Sequence, residues 1–396
     1  MAFQDTVDQF ILSKEQVQTI VDGMTEEFLE GLSTTDPKNI TQQPSFITRL
    51  PTGQETGLYL AIDMGGTNLR TAAVHLLGDG KVGVTMEKHE ITQELKTGTG
   101  EAMFDWIADC IASLLKTVAV DMGQTAVNRG KVFAMGKDFD LSDVMGKDLK
   151  DLLETGFTRN NLPVTVSAII NDTVGTLVSH AYISPSTKIG VILATGTNAA
   201  YIECASEVFK YNGPACDQMI LNTEWGAMGK ASYLPQTKYE KEIDAVSLVP
   251  GFQEFEKMVS GLYMGEIFRL ALVDLIEQKN IFEFLNGQVS EPLRPAKAFK
   301  TLFMSTIESD SSADHQAVDK ANGGSVQLDA PNGITTIGID GSVFEKYPKF
   351  SQKMMKELTK ILGQDRASRI RLELARDGGS IGAALVAVIS HNGGAI

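Results

Sequence analysis

The sequence is poor in cysteine, in long apolar runs and in positive charge. Its 396 residues include only Cys110, Cys204 and Cys216, too few and too scattered for a disulfide framework or a zinc site, which indicates a reducing compartment. No run of 18 apolar residues occurs, and the first residues lack a basic segment followed by an apolar one, so we expect neither a membrane span nor a secretory signal. The net charge of −15 argues against non-specific binding to nucleic acid or to an anionic membrane surface. We therefore expect a cytoplasmic protein, with nuclear entry left open.

The composition is that of a globular protein, with 43% hydrophobic and 21% charged residues in a chain long enough for two domains. Apolar runs predict strands near 58–63, 70–77, 82–91, 164–170 and 188–194. Helical spacing of apolar residues predicts helices at 12–32, 100–116, 145–155 and 173–183, the first of them capped by Ser13. This succession is α/β in class.

The pattern of strands and a glycine turn restarts near residue 190. Strands are predicted at 189–194, 199–203, 218–222, 335–339 and 369–374, and helices at 252–278, 295–308, 350–362 and 381–390. Two halves that each open with strands and a glycine turn indicate two lobes around a cleft. We expect residues 1–56 to form an N-terminal helix and connecting segment, 57–190 a small lobe, and 191–396 a large lobe shortened around a loop at 309–333.

The segment from Leu58 to Arg70 predicts a phosphate-binding turn. An apolar run ends in Asp63, and Gly65 and Gly66 follow before the next apolar run begins. Glycines can take positive φ and bring backbone N–H groups against an anion; further donors come from Thr67, Asn68 and Arg70. Asp63, at a strand end, is placed to hold Mg²⁺ through water. The alternative is an ordinary glycine hairpin.

Two later strand ends carry polar residues. An apolar strand runs into Asn171 and Asp172 at the start of a helix, where open sheets place ligands. The Asp172 carboxylate could accept a proton from a substrate hydroxyl, although it could also only cap the helix. The stretch Ile192–Asn198 ends in a hydroxyl–glycine turn, which is either a second phosphate clamp or a plain hairpin.

Two carboxylates stand beside amide side chains, Glu224 in Leu221–Gly226 and Glu256 in Pro250–Met258. A polyhydroxylated ligand needs such acceptors for its hydroxyl groups. Glu256 could instead be a solvated helix residue.

Together these segments resemble the hexokinase/glucokinase family, which belongs to the actin-like ATPase (ribonuclease-H-like) superfold. The matching motifs occur in the family's order over most of the chain: 63–70 (Asp-Met-Gly-Gly-Thr-Asn-Leu-Arg), 171–177 (Asn-Asp-Thr-Val-Gly-Thr-Leu), 195–201 (Thr-Gly-Thr-Asn-Ala-Ala-Tyr), 222–226 (Asn-Thr-Glu-Trp-Gly), 255–261 (Phe-Glu-Lys-Met-Val-Ser-Gly) and 337–344 (Ile-Gly-Ile-Asp-Gly-Ser-Val-Phe). The resemblance implies a two-lobed fold with a cleft and an ATP- and Mg²⁺-dependent hexose 6-phosphotransferase that feeds glycolysis.

The resemblance also implies roles for single residues. Asp172 would be the general base that takes the proton from the sugar 6-hydroxyl. The other hydroxyls would be held by Asn171, Asn198, Glu224 and Glu256. The ATP phosphates would meet Gly65, Gly66, Thr67, Asn68 and Arg70 from one lobe, with Asp63 near Mg²⁺, and Thr195, Gly196 and Thr197 from the other. The adenosine would be bordered by Gly341, Ser342 and the turn 377–384, which contains Gly378.

The chain departs from the family pattern in two places. The sugar-pocket loop that precedes Gln124 in the family is missing, and 133–139 matches the family only loosely, with Lys137 standing in for a sugar-contacting lysine. After Asp310 the family continues through further helices, whereas 311–333 alone lead here to the strand at 335.

Three interpretations remain open: a working hexose kinase, a catalytically impaired sugar sensor or regulator with a protein partner, and a kinase whose stated sequence lacks two exons. The small-molecule partners expected are a hexose and ATP, without direct nucleic-acid or membrane binding.

Overall fold

The computed structural model of the chain describes residues 2–35, 40–117, 132, 139–229, 233–309 and 334–391. The strands are β1 (Gln43–Pro44), β2 (Thr56–Met64), β3 (Asn68–Gly78), β4 (Lys81–Glu90), β5 (Thr187–Leu193), β6 (Thr197–Cys204), β7 (Gln218–Asn222), β8 (Thr335–Asp340) and β9 (Ile370–Leu374). The helices are α1 (Ala2–Asp8), α2 (Lys14–Ser33), α3 (Gln93–Thr97), α4 (Gly100–Thr117), α5 (Leu149–Arg159), α6 (Asp172–Ile183), α7 (Lys238–Ala245), α8 (Glu254–Val259), α9 (Met264–Glu277), α10 (Thr301–Ser309), α11 (Ser342–Lys346), α12 (Phe350–Leu362), α13 (Gln364–Ala367) and α14 (Gly378–His391). Short 3₁₀ turns lie at Ser142–Val144, Ala205–Glu207, Trp225–Ala227, Glu283–Leu285 and Glu291–Leu293.

The first sheet is the antiparallel meander β2-β3-β4. One face carries α4 and α5, and the buried cluster between them includes Leu69, Met103, Ile107 and Phe157. The other face is covered by α14, which packs on β2 and β3. The β2–β3 pairing sets Asp63 directly opposite Arg70, so the carboxylate and the guanidinium of the first motif lie at the same end of this sheet.

The second sheet has the order β1-β7-β6-β5-β8-β9. Strands β5, β8 and β9 run parallel, with Ile192 paired to Asp340 and Ile339 paired to Leu374. The carboxyl ends of parallel strands meet at one edge, where open α/β sheets bind ligands. The segments that follow these three strands therefore lie close together.

Helices α6 and α14 pack face to face between the two sheets. Helix α6 rests on β5 and β6, whereas α14 rests on β2 and β3. A Cβ at Gly382 would overlap the backbone of Gly175, so the two helix backbones touch directly. Burial of Leu177, Val178 and Leu385 in this layer joins both sheets to one continuous core.

The α/β class predicted from the sequence is confirmed, and most strand predictions match within two residues. Ser13 caps α2 as predicted: its hydroxyl accepts the Gln16 N–H, and the Gln16 side chain accepts the Ser13 N–H in return. The helix predicted at 145–155 begins later, because Asp148 is the N-cap of α5 and accepts the Lys150 N–H. Only residue 309 of the loop expected at 309–333 falls within the described residues, as the end of α10.

Two predictions are wrong, and the helix predicted at 295–308 begins only at Thr301, as α10. The segment 164–170 forms no strand among the described residues; the Val166 N–H bonds to the Glu154 side chain rather than to a neighbouring strand, and an apolar run without a pairing partner makes no ladder. The helix predicted over 252–278 is broken into α8 and α9. It breaks because the N–H groups of Gly261 and Leu262 donate to the backbone oxygens of Ala194 and Thr195.

Six helices and strands were not predicted: α1, α3, α7, α11, α13 and β1. The start of helix α7 is nevertheless marked in the sequence, because Thr237 and Glu240 form a capping box there. Helix α10 exposes Leu302, Phe303 and Ile307, an apolar stripe just before the point at which the chain departs from the family pattern. Within the described ranges, every helix is too short or too polar to cross a bilayer.

Candidate active site

The first glycine turn joins β2 to β3 and is held by backbone hydrogen bonds. The Gly65 N–H donates to the Asn68 oxygen at 2.9 Å, and the Ile91 N–H donates to the Thr67 oxygen at 3.0 Å. The Asn68 amide donates to the Thr67 hydroxyl at 2.8 Å. Neither glycine has a positive φ, although both could adopt one. The hydrogen bond to the Asn68 oxygen occupies the Gly65 N–H, which is therefore not offered to an anion in this conformation.

Three carboxylates surround one guanidinium beside this turn. Arg70 Nη1 lies 2.8 Å from Asp63 Oδ2, and Asp340 and Asp377 also interact with Arg70 electrostatically. Asp340 ends β8, and its Oδ2 accepts the Gly378 N–H at 3.2 Å, at the start of α14. Burial raises the pKa of Asp340 to about 6, and the charges of Asp63 and Asp377 act in the same direction. The group joins the first sheet, the second sheet and α14.

The start of α6 carries the candidate base. Asn171 is the N-cap, and its Oδ1 accepts the N–H groups of Thr173 at 2.8 Å and Val174 at 3.4 Å. Asp172 is the first helical residue, and its Oδ1 accepts from the Thr173 N–H at 2.8 Å. Asn171 therefore holds the N-cap position, and Asp172 also accepts an N–H group of the first helical turn.

The start of α6 lies against the start of α14. A Cβ at Gly175 would contact the Gly378 oxygen at 3.1 Å, and a Cβ at Gly379 would contact the Asp63 carboxyl carbon at 3.0 Å. The predicted residues Asp63, Arg70 and Gly378 and the helix that begins with Asp172 are thus brought together.

The second glycine turn follows β5, and α8 lies over it. The Thr197 N–H donates to Glu256 Oε2 at 3.0 Å, and the Trp225 indole N–H donates to the Thr197 hydroxyl at 3.1 Å. A Cβ at Gly196 would lie 2.5 Å from Glu256 Oε2, so any larger residue at this position would displace the carboxylate. Glu256 is therefore not a solvated helix residue: it lies directly on the turn.

Gly341 is the N-cap of α11 and directly follows β8, whereas Gly378 begins α14 a few residues after β9. Gly341 has φ 135°, and a Cβ there would overlap the backbone of Leu193. This close approach places Gly341 and Ser342 beside the second turn.

A carboxylate–amide cluster completes the site. The Asn198 Nδ2 donates to Asn222 Oδ1 at 2.8 Å and to Glu224 Oε1 at 3.3 Å, and the Asn222 Nδ2 donates to Glu224 Oε1 at 2.7 Å. Glu224 has a left-handed backbone with φ 55°, a conformation that non-glycine residues adopt at a cost and that clusters at functional sites. Glu256 approaches this cluster through Gly226, where a Cβ would lie 3.3 Å from the Glu256 Cβ.

Sequence reasoning missed Asn222, Trp225 and Asp340 as members of the site. Each belongs to a motif read from the sequence, but its contacts join segments far apart in the chain. Lys137, the predicted substitute for a sugar-contacting lysine, lies outside the described residues. Among the residues that the structure does describe, no three His, Cys, Asp or Glu side chains form a group able to hold a metal ion.

Comparisons with known proteins agree with this geometry. Models of the family described as hexokinase match residues 2–182 and, in two overlapping stretches, 188–330 and 325–389. Hexokinase-1 of Schizosaccharomyces pombe is 36% identical over 446 aligned positions, which cover 98% of this chain and 90% of the relative. The alignment is longer than the chain, so the relative contains residues that this chain lacks.

A second relative, hexokinase of Emericella nidulans, is 34% identical over 97% of this chain and 89% of its own length. The structure of Schistosoma mansoni hexokinase in complex with glucose superimposes with a TM-score of 0.83 at 30% identity, covering 98% of each chain. This likeness confirms the predicted two-lobed actin-like ATPase fold. The chain belongs to the hexokinase family.

Proposed function

We propose that the protein transfers the γ-phosphoryl group of ATP to the 6-hydroxyl of a glucose-like hexose. The observation that carries this proposal is the hydrogen bond between Glu256 and Thr197. Glu256 also packs against Gly226, beside the carboxylate–amide cluster suited to sugar hydroxyls. Its bond to Thr197 therefore brings a glycine turn suited to phosphate next to that cluster, and the two substrates would meet where phosphoryl transfer needs them. The hexokinases that match over nearly the whole chain support the same activity.

The roles follow from chemistry and position. Asp172 would take the proton of the 6-hydroxyl as its oxygen attacks the γ-phosphorus, the bond to the bridging oxygen breaks, and ADP leaves. The other sugar hydroxyls would bind Asn171, Asn198, Glu224 and Glu256, with Lys137 as a further candidate. The phosphates would bind the residues of the two glycine turns, Gly65 to Asn68 with Arg70 and Thr195 to Thr197, while the adenosine would border Gly341, Ser342 and Gly378.

Mg²⁺ would supply charge neutralisation on the phosphates. The side chains present fit this role. Arg70 interacts with three carboxylates, those of Asp63, Asp340 and Asp377. The group therefore has an excess of negative charge that a magnesium ion would balance. One Asp63 oxygen is bound by Arg70, and a magnesium ion that keeps most of its ligands as water and phosphate needs only one or two carboxylates. We propose Asp63 as its contact, through water.

The division of the chain into an N-terminal segment (1–56), a small lobe (57–190) and a large lobe (191–396) remains a prediction. It places α14 in the large lobe, whereas α14 packs on the first sheet. We further propose a cytoplasmic protein whose partners are its two substrates. The regulatory alternative would leave sugar and ATP binding in place without turnover.

The test is ADP release by the purified chain with Mg-ATP and a panel of hexoses, measured by a coupled assay. We expect turnover with glucose or a close relative, reduced about a thousandfold in Asp172→Asn because general base catalysis is lost. The matched control is Asp148→Asn, at the start of α5, where the amide oxygen can still accept the Lys150 N–H, and we expect it to leave turnover unchanged. A folded wild-type chain that binds both ligands and releases no ADP would support the regulatory alternative.

A further inference from the structure

A cavity lies between the edge strands of the two sheets. Its wall is formed by β4, the last turn of α6, β9 and the residues that follow β9. The volume of about 510 Å³ suits a small organic molecule. One side of the wall is apolar and consists of Val82, Val84, Ile183 and Leu374. A ligand that fits this cavity would therefore have an apolar body.

The cavity is separate from the residues assigned to the two substrates. Within the described part of the chain, neither glycine turn contributes to its wall, and neither do Gly341 and Ser342. Its links with the candidate active site are Asp377, which interacts with Arg70, and Ile381 of α14. A ligand in the cavity would lie beside the proposed nucleotide site and not in it.

A nearly buried histidine forms part of the wall. His180 is 6% exposed, and its Nδ1 lies 2.8 Å from the Thr187 hydroxyl. That hydroxyl donates its single proton to the Ser184 backbone oxygen at 2.7 Å, so it accepts from Nδ1. Burial lowers the pKa of His180, although the charge of Glu373 acts in the opposite direction. We assign the proton of the neutral ring to Nδ1, which leaves Nε2 as an acceptor.

The Nε2 atom of His180 faces a second acceptor. Glu373 Oε2 lies 3.4 Å from it, whereas a charge-assisted N–H···O hydrogen bond measures about 2.7–2.9 Å. Two acceptors without a proton between them lose the hydrogen bonds that water gives them in the unfolded chain. The side chain of Glu373 is 37% exposed, so a donor that enters the cavity can reach it. One donor group placed beside both atoms would satisfy both.

The charges of the wall favour a cation as that donor. Glu373 and Asp377 are acidic, and His180 is neutral. Arg376 also belongs to the wall, but its guanidinium lies 3.4 Å from Glu345, which offsets its charge in part. An ammonium group carries a positive charge and three N–H donors, enough for both acceptors.

We propose that this cavity is a binding site for a small organic amine, whose ammonium group donates to His180 Nε2 and to the Glu373 carboxylate while its apolar body packs on the β4 side. The site does not depend on the proposed reaction, since the residues that hold the amine are not those assigned to the sugar or to ATP.

The test uses benzylamine as the probe, with benzyl alcohol and benzoate as neutral and anionic molecules of similar shape. Binding is measured by NMR of the unmutated chain with isotope-labelled histidine. We expect benzylamine to bind with a Kd of about 1 mM, which is typical of a ligand of that size, and to shift the Nε2 resonance of His180. Benzyl alcohol should bind about tenfold more weakly because it lacks the charge, and benzoate should not bind.

Glu373→Gln keeps the shape of the side chain and removes its charge. It should weaken benzylamine binding about tenfold and abolish the preference for benzylamine over benzyl alcohol. The matched control is Glu357→Gln, which removes an exposed carboxylate paired with Lys360 on α12, outside the cavity. This control should bind benzylamine as the wild-type chain does.

Several results would overturn the proposal. They are an absence of benzylamine binding well above about 1 mM, equal affinities for benzylamine and benzyl alcohol, and wild-type affinity in Glu373→Gln. Binding that leaves the His180 resonances unmoved would place the amine elsewhere and would equally overturn it. Saturation with Mg²⁺ and AMP-PNP should leave benzylamine bound; loss of binding would show that the cavity belongs to the nucleotide site.

Discussion

Replacing Asp340 with Asn removes a partly buried charge and keeps an oxygen that can accept the Gly378 N–H. The pKa of Asp340 is raised from 3.8 to about 6, with burial as the main cause. A difference of roughly two pKa units corresponds to about 3 kcal/mol. The folded state binds this proton more tightly than the unfolded chain does. The free energy of unfolding therefore falls as pH rises from about 4 to about 6, and above that range it falls no further on account of this group.

The amide of Asp340→Asn does not ionise, so the free energy of unfolding of this variant does not fall through this group as pH rises. At pH 7.5 its free energy of unfolding should exceed that of wild type by about 3 kcal/mol, and at pH 4 the two should be close. Urea titrations at the two pH values, followed by tryptophan fluorescence, measure this difference. Asp365→Asn, at an exposed position, is the control and should follow wild type at both pH values.

The reasoning is refuted if Asp340→Asn is no more stable than wild type at pH 7.5, or if its advantage is the same at both pH values. In either case the carboxylate would be compensated by Arg70 and the Gly378 N–H more fully than its burial indicates. We expect this stabilised variant to lose activity, because the charge it removes faces Arg70 in the proposed phosphate site.

Two further predictions concern packing and capping. Gly382→Ala should lower the free energy of unfolding by about 1–3 kcal/mol, because its Cβ would overlap the Gly175 backbone; thermal melting measures this, and an unchanged melting temperature would contradict the close packing of α6 and α14. Thr237→Ala should cost about 1 kcal/mol by removing the capping box with Glu240, while hexose phosphorylation stays unchanged; a variant as stable as wild type in urea would show that the box contributes nothing.

Much of the fold was predictable because its signals are local. The period of apolar residues located most strands, and Ser13 marked the start of α2 through a capping box that is visible in the sequence. Thr237 and Glu240 offered the same signal for α7 and were overlooked. Local signals therefore located the elements whose apolar period is clear, but not every boundary that a capping residue sets.

The failures share a different cause. The segment 164–170 has the apolar character of a strand, but a strand requires a partner that its own sequence does not identify. The break between α8 and α9 arises from hydrogen bonds to Ala194 and Thr195, more than sixty residues earlier. Likewise, the grouping of Asp340 with Asp63 and Arg70 depends on how two sheets meet, so the sequence indicated Asp63 and Arg70 but neither Asp340 nor the electrostatic interactions that the three residues share.

The glycine contact between α6 and α14 has a mechanical consequence. Each helix rests on a different sheet, and at their crossing two bare backbones meet where side chains would normally interlock. Interlocked ridges and grooves favour particular crossing angles, whereas a crossing without side chains imposes no such preference at that point. The crossing angle of α6 and α14 would therefore be set by the buried side chains on either side of Gly175 and Gly382, among them Leu177 and Leu385.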